Sequence, residues 1–145
     1  LTAAAQADGR ITKTVPEILF VCVQNAGRSQ MAAAIAAHLA PDRIHVRSAG
    51  SQPTGQIDPV VLEVLAERGI ATDQAYPKPL SEEVLRAADV VVTMGCGDTC
   101  PVLPGKHYFD RDVSDPMGQP LPVVRDIRDD VERRVGQLLH DLDLS

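Results

Sequence analysis

A run of six apolar residues, ILFVCV at positions 18–23, sets the class of fold open to this chain. A strand that is apolar on both faces is typical of a parallel sheet with helices packed on either side. The polar break NAGRSQ follows, and residues 29–40 then have the alanine-rich composition of a helix that ends at Pro41. We therefore expect the fold to begin with a buried strand, a short loop and a helix.

Strand and helix patterns continue to alternate after this first unit. Asp58 and Pro59 match the cap and first residue of a second helix, and Ser81 caps a short third helix that runs to residue 88. The last helix is marked by apolar residues three or four positions apart: Val124, Ile127, Val131, Val135, Leu138 and Leu142. Further strands are predicted at residues 43–48, 89–94 and 106–109. This order predicts an α/β fold, a mostly parallel sheet with helices on both faces.

The length, charge and cysteine count narrow the function. A chain of 145 residues suits one domain, which we assign to residues 17–145, and residues 1–16 are expected to form a flexible tail. A net charge of −6 and 3% aromatic residues argue against nucleic acid or an anionic membrane as partner. Three cysteines cannot all pair as in a secreted disulfide framework, and no apolar stretch is long enough to span a bilayer. We expect a monomeric cytoplasmic protein.

The loop after the first strand combines groups that can bind and attack an oxyanion. Consecutive backbone N–H groups in such a loop can converge on one point, and the positive end of the next helix dipole adds to their field. Arg28 can hold two oxygen atoms, and Gly27 allows the backbone angles that close the loop. Cys22 lies where the same field stabilises a thiolate, and Ser29 is placed to donate a hydrogen bond to its sulfur. The predicted oxyanion-binding residues are Val23, Gln24, Asn25, Ala26, Gly27, Arg28 and Ser29.

This segment closely resembles the phosphate-binding loop of the low-molecular-weight protein tyrosine phosphatase family. The longer match FVCVQNAGRSQMA at residues 20–32 is similar to the arsenate reductase branch of that family. The segments VRSAG at residues 46–50 and DVVVTM at residues 89–94 extend the resemblance along nearly the whole chain from Glu17. The resemblance implies a four-stranded parallel sheet in the order 2-1-3-4, with the Cys22 loop at the point where the strand order reverses.

The resemblance to this family assigns the role of general acid to Asp115. An Asp-Pro pair by itself is ordinarily a turn. In the family, however, an Asp-Pro in the loop before the final helix folds over the bound anion, and Asp115 and Pro116 hold that place. The task of Asp115 would be to protonate the oxygen that leaves as Cys22 attacks. Asp110 and Asp112 are nearby, but neither is followed by proline.

Cys96 and Cys100 favour the reductase branch. A reductase must supply two electrons per turnover, which two thiols do by forming a disulfide, whereas a phosphatase needs one nucleophilic cysteine. In the thioredoxin-coupled arsenate reductases that this chain resembles, a loop after the third strand carries two such cysteines. The resemblance implies that Cys22 attacks arsenate, that Cys96 attacks Cys22 and releases arsenite, and that Cys100 attacks Cys96 to leave a disulfide for thioredoxin. The implied catalytic residues are Cys22, Arg28, Asp115, Cys96 and Cys100.

Three alternatives remain at this point. Related actinobacterial reductases use mycothiol, and the separation of Cys96 from Cys100 is shorter than in the best-known thioredoxin-coupled enzymes. A tyrosine phosphatase is the second alternative, although Met117 stands where those enzymes commonly have an aromatic residue. The third is an arsenic-binding or redox-sensing module that holds its thiols without turnover.

No bound cofactor or metal is expected. Cys96, Cys100 and His107 match no standard zinc site. Some family members bind potassium through a glutamate on the first helix, and Ala33 stands at that place here. The reductant, thioredoxin or mycothiol, is therefore expected as an external partner together with the substrate arsenate.

Overall fold

Four parallel strands form the central sheet of this protein. The computed structural model describes residues 15–72, 75–94 and 107–144. The strands are paired in the order β2-β1-β3-β4, as predicted. Their bounds differ from the predicted ones by one or two residues: β1 is Glu17–Cys22, β2 is His45–Gly50, β3 is Val90–Thr93 and β4 is His107–Asp110.

The helices cover both faces of the sheet, which confirms the predicted layers. Helices α1 (Arg28–Leu39), α2 (Pro59–Ala66) and α4 (Leu121–Asp141) share one core cluster with Phe20 of β1. Helix α3 (Glu82–Ala87) packs on the opposite face, in a second cluster that contains Val21. Successive side chains of a strand point to opposite faces, so the unbroken apolar run of β1 supplies both cores.

The ends of the helices follow the sequence signals. The Asp58 carboxylate accepts from the Val60 N–H at 3.0 Å, and the Ser81 hydroxyl accepts from the Val84 N–H at 3.2 Å. The predicted apolar stripe of α4 is buried from Val124 to Leu138, with 0% exposure at Val124 and Val131, whereas Leu142 lies just past the end of α4 and is partly exposed. Each such side chain contributes about 1.5–3 kcal/mol by leaving water.

The sheet order places the end of β1 between two neighbours. Cys22 pairs with Gly50 at the end of β2, and Val21 pairs with Thr93 at the end of β3. The carboxyl ends of these strands therefore lie side by side at one edge of the sheet, where ligands of open α/β sheets bind. The segment that carries Cys96 and Cys100, and residues 1–14 of the predicted tail, lie outside the described residues. Within the described ranges no helix is long and apolar enough to cross a membrane.

Candidate active site

Residues 23–27 form the loop between β1 and α1, and Cys22 lies at its base. Cys22 is the last residue of β1 and only 2% of its surface is exposed. Arg28 is the first residue of α1, so its guanidinium and the first N–H groups of the helix lie at the same end. A helix N-terminus attracts an anion through both its unpaired N–H groups and its dipole.

The carbonyl groups of this loop are tied to the chain that follows β2. The Cys22 and Val23 carbonyls accept from the backbone N–H groups of Ser51 and Gln52, at 3.2 and 2.7 Å. The Gln24 and Ala26 carbonyls accept from those of Thr54 and Asp58, at 3.1 and 3.0 Å. By contrast, no backbone N–H group from residue 23 to residue 29 has a protein acceptor within the described residues. The loop thus has its acceptors occupied and its donors free, which is the arrangement that an oxyanion requires.

Two glycines let neighbouring segments approach this loop closely. A Cβ at Gly50 would lie 2.6 Å from the Val23 carbonyl oxygen and 2.9 Å from the Asn25 nitrogen. A Cβ at Gly27 would lie 2.9 Å from the Pro116 ring. The positive φ of this loop, 52°, belongs to Asn25, whereas φ of Gly27 is −137°. Asparagine tolerates this conformation because its side chain can hydrogen-bond locally.

The sulfur of Cys22 has a hydroxyl partner inside the protein. The Sγ atom lies 2.9 Å from the Ser29 Oγ atom, and Ser29 is fully buried. Ser29 in turn accepts a hydrogen bond from the Asn25 side-chain amide at 2.6 Å. The serine hydrogen is therefore free to point at the sulfur, and a hydroxyl donor in that position stabilises a thiolate.

Arg28 and Asp115 lie at the mouth of the pocket above Cys22. Their closest side-chain atoms, Nη2 and Oδ2, are 3.9 Å apart, and the carboxylate is more exposed than the guanidinium, at 56% against 15%. Asp115 also accepts from the Met117 N–H at 3.1 Å, which fixes the turn that carries it. An exposed carboxyl group beside the anion pocket can exchange its proton with water between turnovers.

The two other candidate aspartates point elsewhere. Asp110 ends β4 and accepts a hydrogen bond from the Thr93 hydroxyl at 2.7 Å. Neither Asp110 nor Asp112 is among the described residues that line the pocket above Cys22, whereas Asp115 is. The positions of these three residues in the fold therefore favour Asp115 as the general acid, as the sequence pattern does.

Asp58 is a pocket residue that sequence reasoning assigned only to helix capping. Its cap on α2 is present, but Asp58 also lines the pocket with Cys22, Arg28 and Asp115. The Asp58 N–H donates to the Ala26 carbonyl, and this bond brings the start of α2 to the loop. The Asp-Pro pair does not indicate this second environment, because the environment arises from a tertiary contact.

The structure therefore brings together most of the predicted site. Cys22, Arg28, Asp115 and the loop residues 23–29 converge at the carboxyl end of β1. Cys96 and Cys100 are outside the described residues, so their positions stay a prediction. Among the described side chains, no group of three or more His, Cys, Asp or Glu is arranged to hold a metal ion.

A parallel sheet whose first strand ends in a buried cysteine, followed by an anion loop and an arginine, defines the phosphatase-like class of proteins with a cysteine nucleophile. The sequence profile of the low molecular weight phosphotyrosine protein phosphatases matches residues 17–145. The chain belongs to this family.

Relatives within the family carry two kinds of name. A putative arsenate reductase from Halobacterium salinarum is 36% identical over 84% of this chain and 89% of its own length. The solved structure of a thioredoxin-dependent arsenate reductase from Corynebacterium glutamicum is 45% identical, with a TM-score of 0.81 over 99% of this chain and 69% of that one. A protein-arginine-phosphatase from Bacillus subtilis is 31% identical over 87% of this chain and 96% of its own length. Relatives of both activities match more than four fifths of this chain, so the similarity alone does not decide between reduction and dephosphorylation.

Proposed function

We propose that this chain reduces arsenate to arsenite, with Cys22 as the nucleophile. The observation that carries the proposal is the buried Cys22 sulfur, 2.9 Å from the Ser29 hydroxyl, at the base of a loop whose N–H groups have no protein acceptor among the described residues. Those donors fit a tetrahedral oxyanion, and the sulfur lies where it can attack the central atom. The arsenate reductases among the relatives and the two further cysteines of the sequence favour arsenate over a phosphate ester.

The first step is attack on bound arsenate. The Cys22 thiolate forms a bond to arsenic, and an oxygen leaves as water with a proton from Asp115. Arg28 and the loop N–H groups hold the other oxygens and stabilise the charge on them. The product of this step is a covalent adduct between the Cys22 sulfur and arsenic(V).

The second step is the reduction itself. The Cys96 thiolate attacks the Cys22 sulfur, the electron pair of the sulfur–arsenic bond stays on arsenic, and arsenite leaves. A Cys22–Cys96 disulfide remains, so two thiols have supplied the two electrons that arsenic gains. Cys100 then attacks Cys96, which forms a Cys96–Cys100 disulfide and restores the Cys22 thiolate.

An external dithiol completes the cycle. The name of the Corynebacterium glutamicum protein favours thioredoxin, which would reduce the Cys96–Cys100 disulfide by exchange. Mycothiol is the alternative: one mycothiol thiolate would attack the Cys22 sulfur of the adduct and release arsenite, and a second would reduce the resulting mixed disulfide, so Cys100 would not be needed. Such a cycle requires a reducing compartment, so we propose a cytoplasmic location.

A phosphatase is the second candidate, favoured by the relationship to the arginine phosphatase. The pocket residues do not favour an aryl substrate, since Met117 lies beside Asp115 and the described lining contains no aromatic side chain. Phosphate and arsenate share shape and charge, so slow hydrolysis of a small phosphate ester is compatible with the proposed reductase.

The proposal is tested by arsenite production with thioredoxin and its reductase as the sole source of electrons. Cys22→Ser should give no arsenite, because no nucleophile remains. Cys100→Ser should give at most one arsenite per protein and accumulate a Cys22–Cys96 disulfide that mass spectrometry detects. Repeated turnover by Cys100→Ser with thioredoxin alone would contradict the relay, and activity of that variant with mycothiol alone would establish the alternative reductant.

A further inference from the structure

Gln30, which none of the steps above uses, connects the anion loop to a distant segment. It is the third residue of α1 and is 5% exposed. Its side-chain Nε2 atom donates to the Asn25 carbonyl at 3.1 Å, to the Asn25 Oδ1 atom at 3.0 Å and to the Tyr76 carbonyl at 2.9 Å. A buried amide with three acceptors from two separate segments links those segments to each other.

The backbone partners fix the orientation of both amides. A backbone N–H can only donate, so the Lys78 N–H at 2.8 Å requires the Oδ1 atom of Asn25 to face it. A backbone carbonyl can only accept, so the Asn25 and Tyr76 carbonyls require the nitrogen of Gln30 to face them. Neither side chain can turn its amide over without placing two donors or two acceptors together.

This orientation determines where the Ser29 proton goes. With its Oδ1 atom held by Gln30 and Lys78, Asn25 presents its Nδ2 atom to the Ser29 oxygen at 2.6 Å. Ser29 therefore accepts from Asn25, and its own hydrogen is left for the Cys22 sulfur at 2.9 Å. A rotated Asn25 would offer the serine an oxygen instead and would compete with the sulfur for that hydrogen.

We propose that Gln30 is a positioning residue for the Cys22 nucleophile, because it holds Asn25 in the orientation that makes Ser29 donate to the sulfur. The inference rests on the proposed role of Cys22 but does not depend on the identity of the oxyanion. It also gives the segment that carries Tyr76 and Lys78 a part in the site, although neither residue touches the pocket above Cys22.

The test is a double-mutant cycle on the reactivity of Cys22. Cys96→Ser and Cys100→Ser are introduced first, so that Cys22 is the sole thiol of a chain with three cysteines. The rate of Cys22 alkylation by iodoacetamide at pH 7 then reports the thiolate without any arsenate. We expect Gln30→Met and Ser29→Ala each to lower this rate about three- to tenfold, the effect of one lost hydrogen bond. The double variant should react as slowly as Ser29→Ala alone, because Gln30 acts through Ser29.

Controls separate positioning from packing. A cavity of about 360 Å³ beside Gln30 leaves room for the methionine, and Gln30→Ala is a second variant should Gln30→Met not fold. Gln137→Met is the matched control, since the Gln137 amide donates to Asp141 on the exposed side of α4. The rate of Cys22 alkylation in this variant should be unchanged. Additive effects of Gln30→Met and Ser29→Ala, or an unchanged rate in folded Gln30→Met and Gln30→Ala, would overturn the inference. Coupled effects in this background, together with a failure of the unmodified three-cysteine protein to reduce arsenate, would uphold it and refute the proposed function.

Discussion

Asp58 caps a helix and also places a negative charge at the anion pocket. Replacement by asparagine would remove the charge and keep the cap. The Oδ1 atom of Asp58 caps α2 through the Val60 N–H, and Asp58 is one of the residues that line the pocket with Cys22 and Arg28. Among the described lining residues Arg28 is the single cation, so the Asp58 carboxylate opposes the binding of an anion.

Asp58→Asn should therefore bind phosphate about two- to fivefold more tightly, because it removes one like charge from the pocket. The free energy of unfolding should change by less than about 0.5 kcal/mol, since asparagine caps a helix as well as aspartate does. Calorimetric titration with phosphate measures the first effect and denaturant unfolding the second. Glu63→Gln, an exposed change on α2 away from the pocket, is the matched control. Unchanged or weaker phosphate binding by Asp58→Asn would contradict this role.

The residues of the site differ in how far the sequence could predict them. Cys22 and Ser29 were predictable because one strand end, one loop and one helix start place them together, and all three are local patterns. The pocket environment of Asp58 and the contacts of Gln30 were not. Asp58 reaches the loop through the Ala26 carbonyl, and Gln30 bonds the Tyr76 carbonyl 46 residues away. Such contacts exist only once the elements have packed.

At the scale of elements, the start of α1 contacts the segment that carries Asp115, the proposed general acid. Pro116 is buried beside Gly27, and the neighbouring Asp115 lies 3.9 Å from Arg28. The absence of a side chain at Gly27 is what permits this contact, because any Cβ there would meet the proline ring at 2.9 Å.

Gly27→Ala should push the Asp115 segment away from the pocket. We expect arsenate turnover to fall by about tenfold or more, since proton donation depends on the position of Asp115. Phosphate affinity should stay within about twofold, because the loop donors and Arg28 remain in place. Gly55→Ala is the control, as a Cβ at Gly55 meets nothing within 4 Å. Equal losses of turnover and phosphate affinity would mean that the loop itself had been distorted.

The second strand shows why element bounds are harder to predict than elements. The pattern predicts a strand at residues 43–48, whereas β2 is His45–Gly50. Its last three residues, Ser48, Ala49 and Gly50, are buried, and they pair with the end of β1. Small residues of this kind have weak strand propensity, so the pairing partner, and not the local sequence, extends the strand to the site.

At the scale of the whole molecule, ion pairs join α2 to α4 behind the active site. Arg128, only 6% exposed, donates to the Val64 carbonyl at 2.9 Å and to the Glu67 carboxylate at 2.8 Å. Arg125 binds the same carboxylate at 2.7 Å. The hydrogen bond from Arg125, followed by that from Arg128, holds the pKa of Glu67 below its ordinary value of 4.5.

This shift predicts a loss of stability in acid. A carboxyl group whose pKa is lower in the folded protein stabilises it above pH 4.5 and ceases to do so as the pH falls through the folded pKa. Glu67→Gln should therefore unfold at a lower temperature than the unmodified protein at pH 7, and the two should converge as the pH falls below 4.5. Thermal unfolding across pH 3–7 measures this, with the exposed Glu83→Gln as control. A difference that persists unchanged in acid would show that the carboxylate charge is not responsible.

Counting free thiols before and after one exposure to arsenate tests the relay through three cysteines. The fully reduced protein has three cysteines, and excess arsenate is added with no other reductant present. We predict a fall from three free thiols to one, because one arsenate takes two electrons from the protein and leaves a single disulfide. Phosphate, which binds but cannot be reduced, should leave all three thiols free. Three free thiols after arsenate would contradict the relay and leave a phosphatase, or a reductase that depends on an external small thiol.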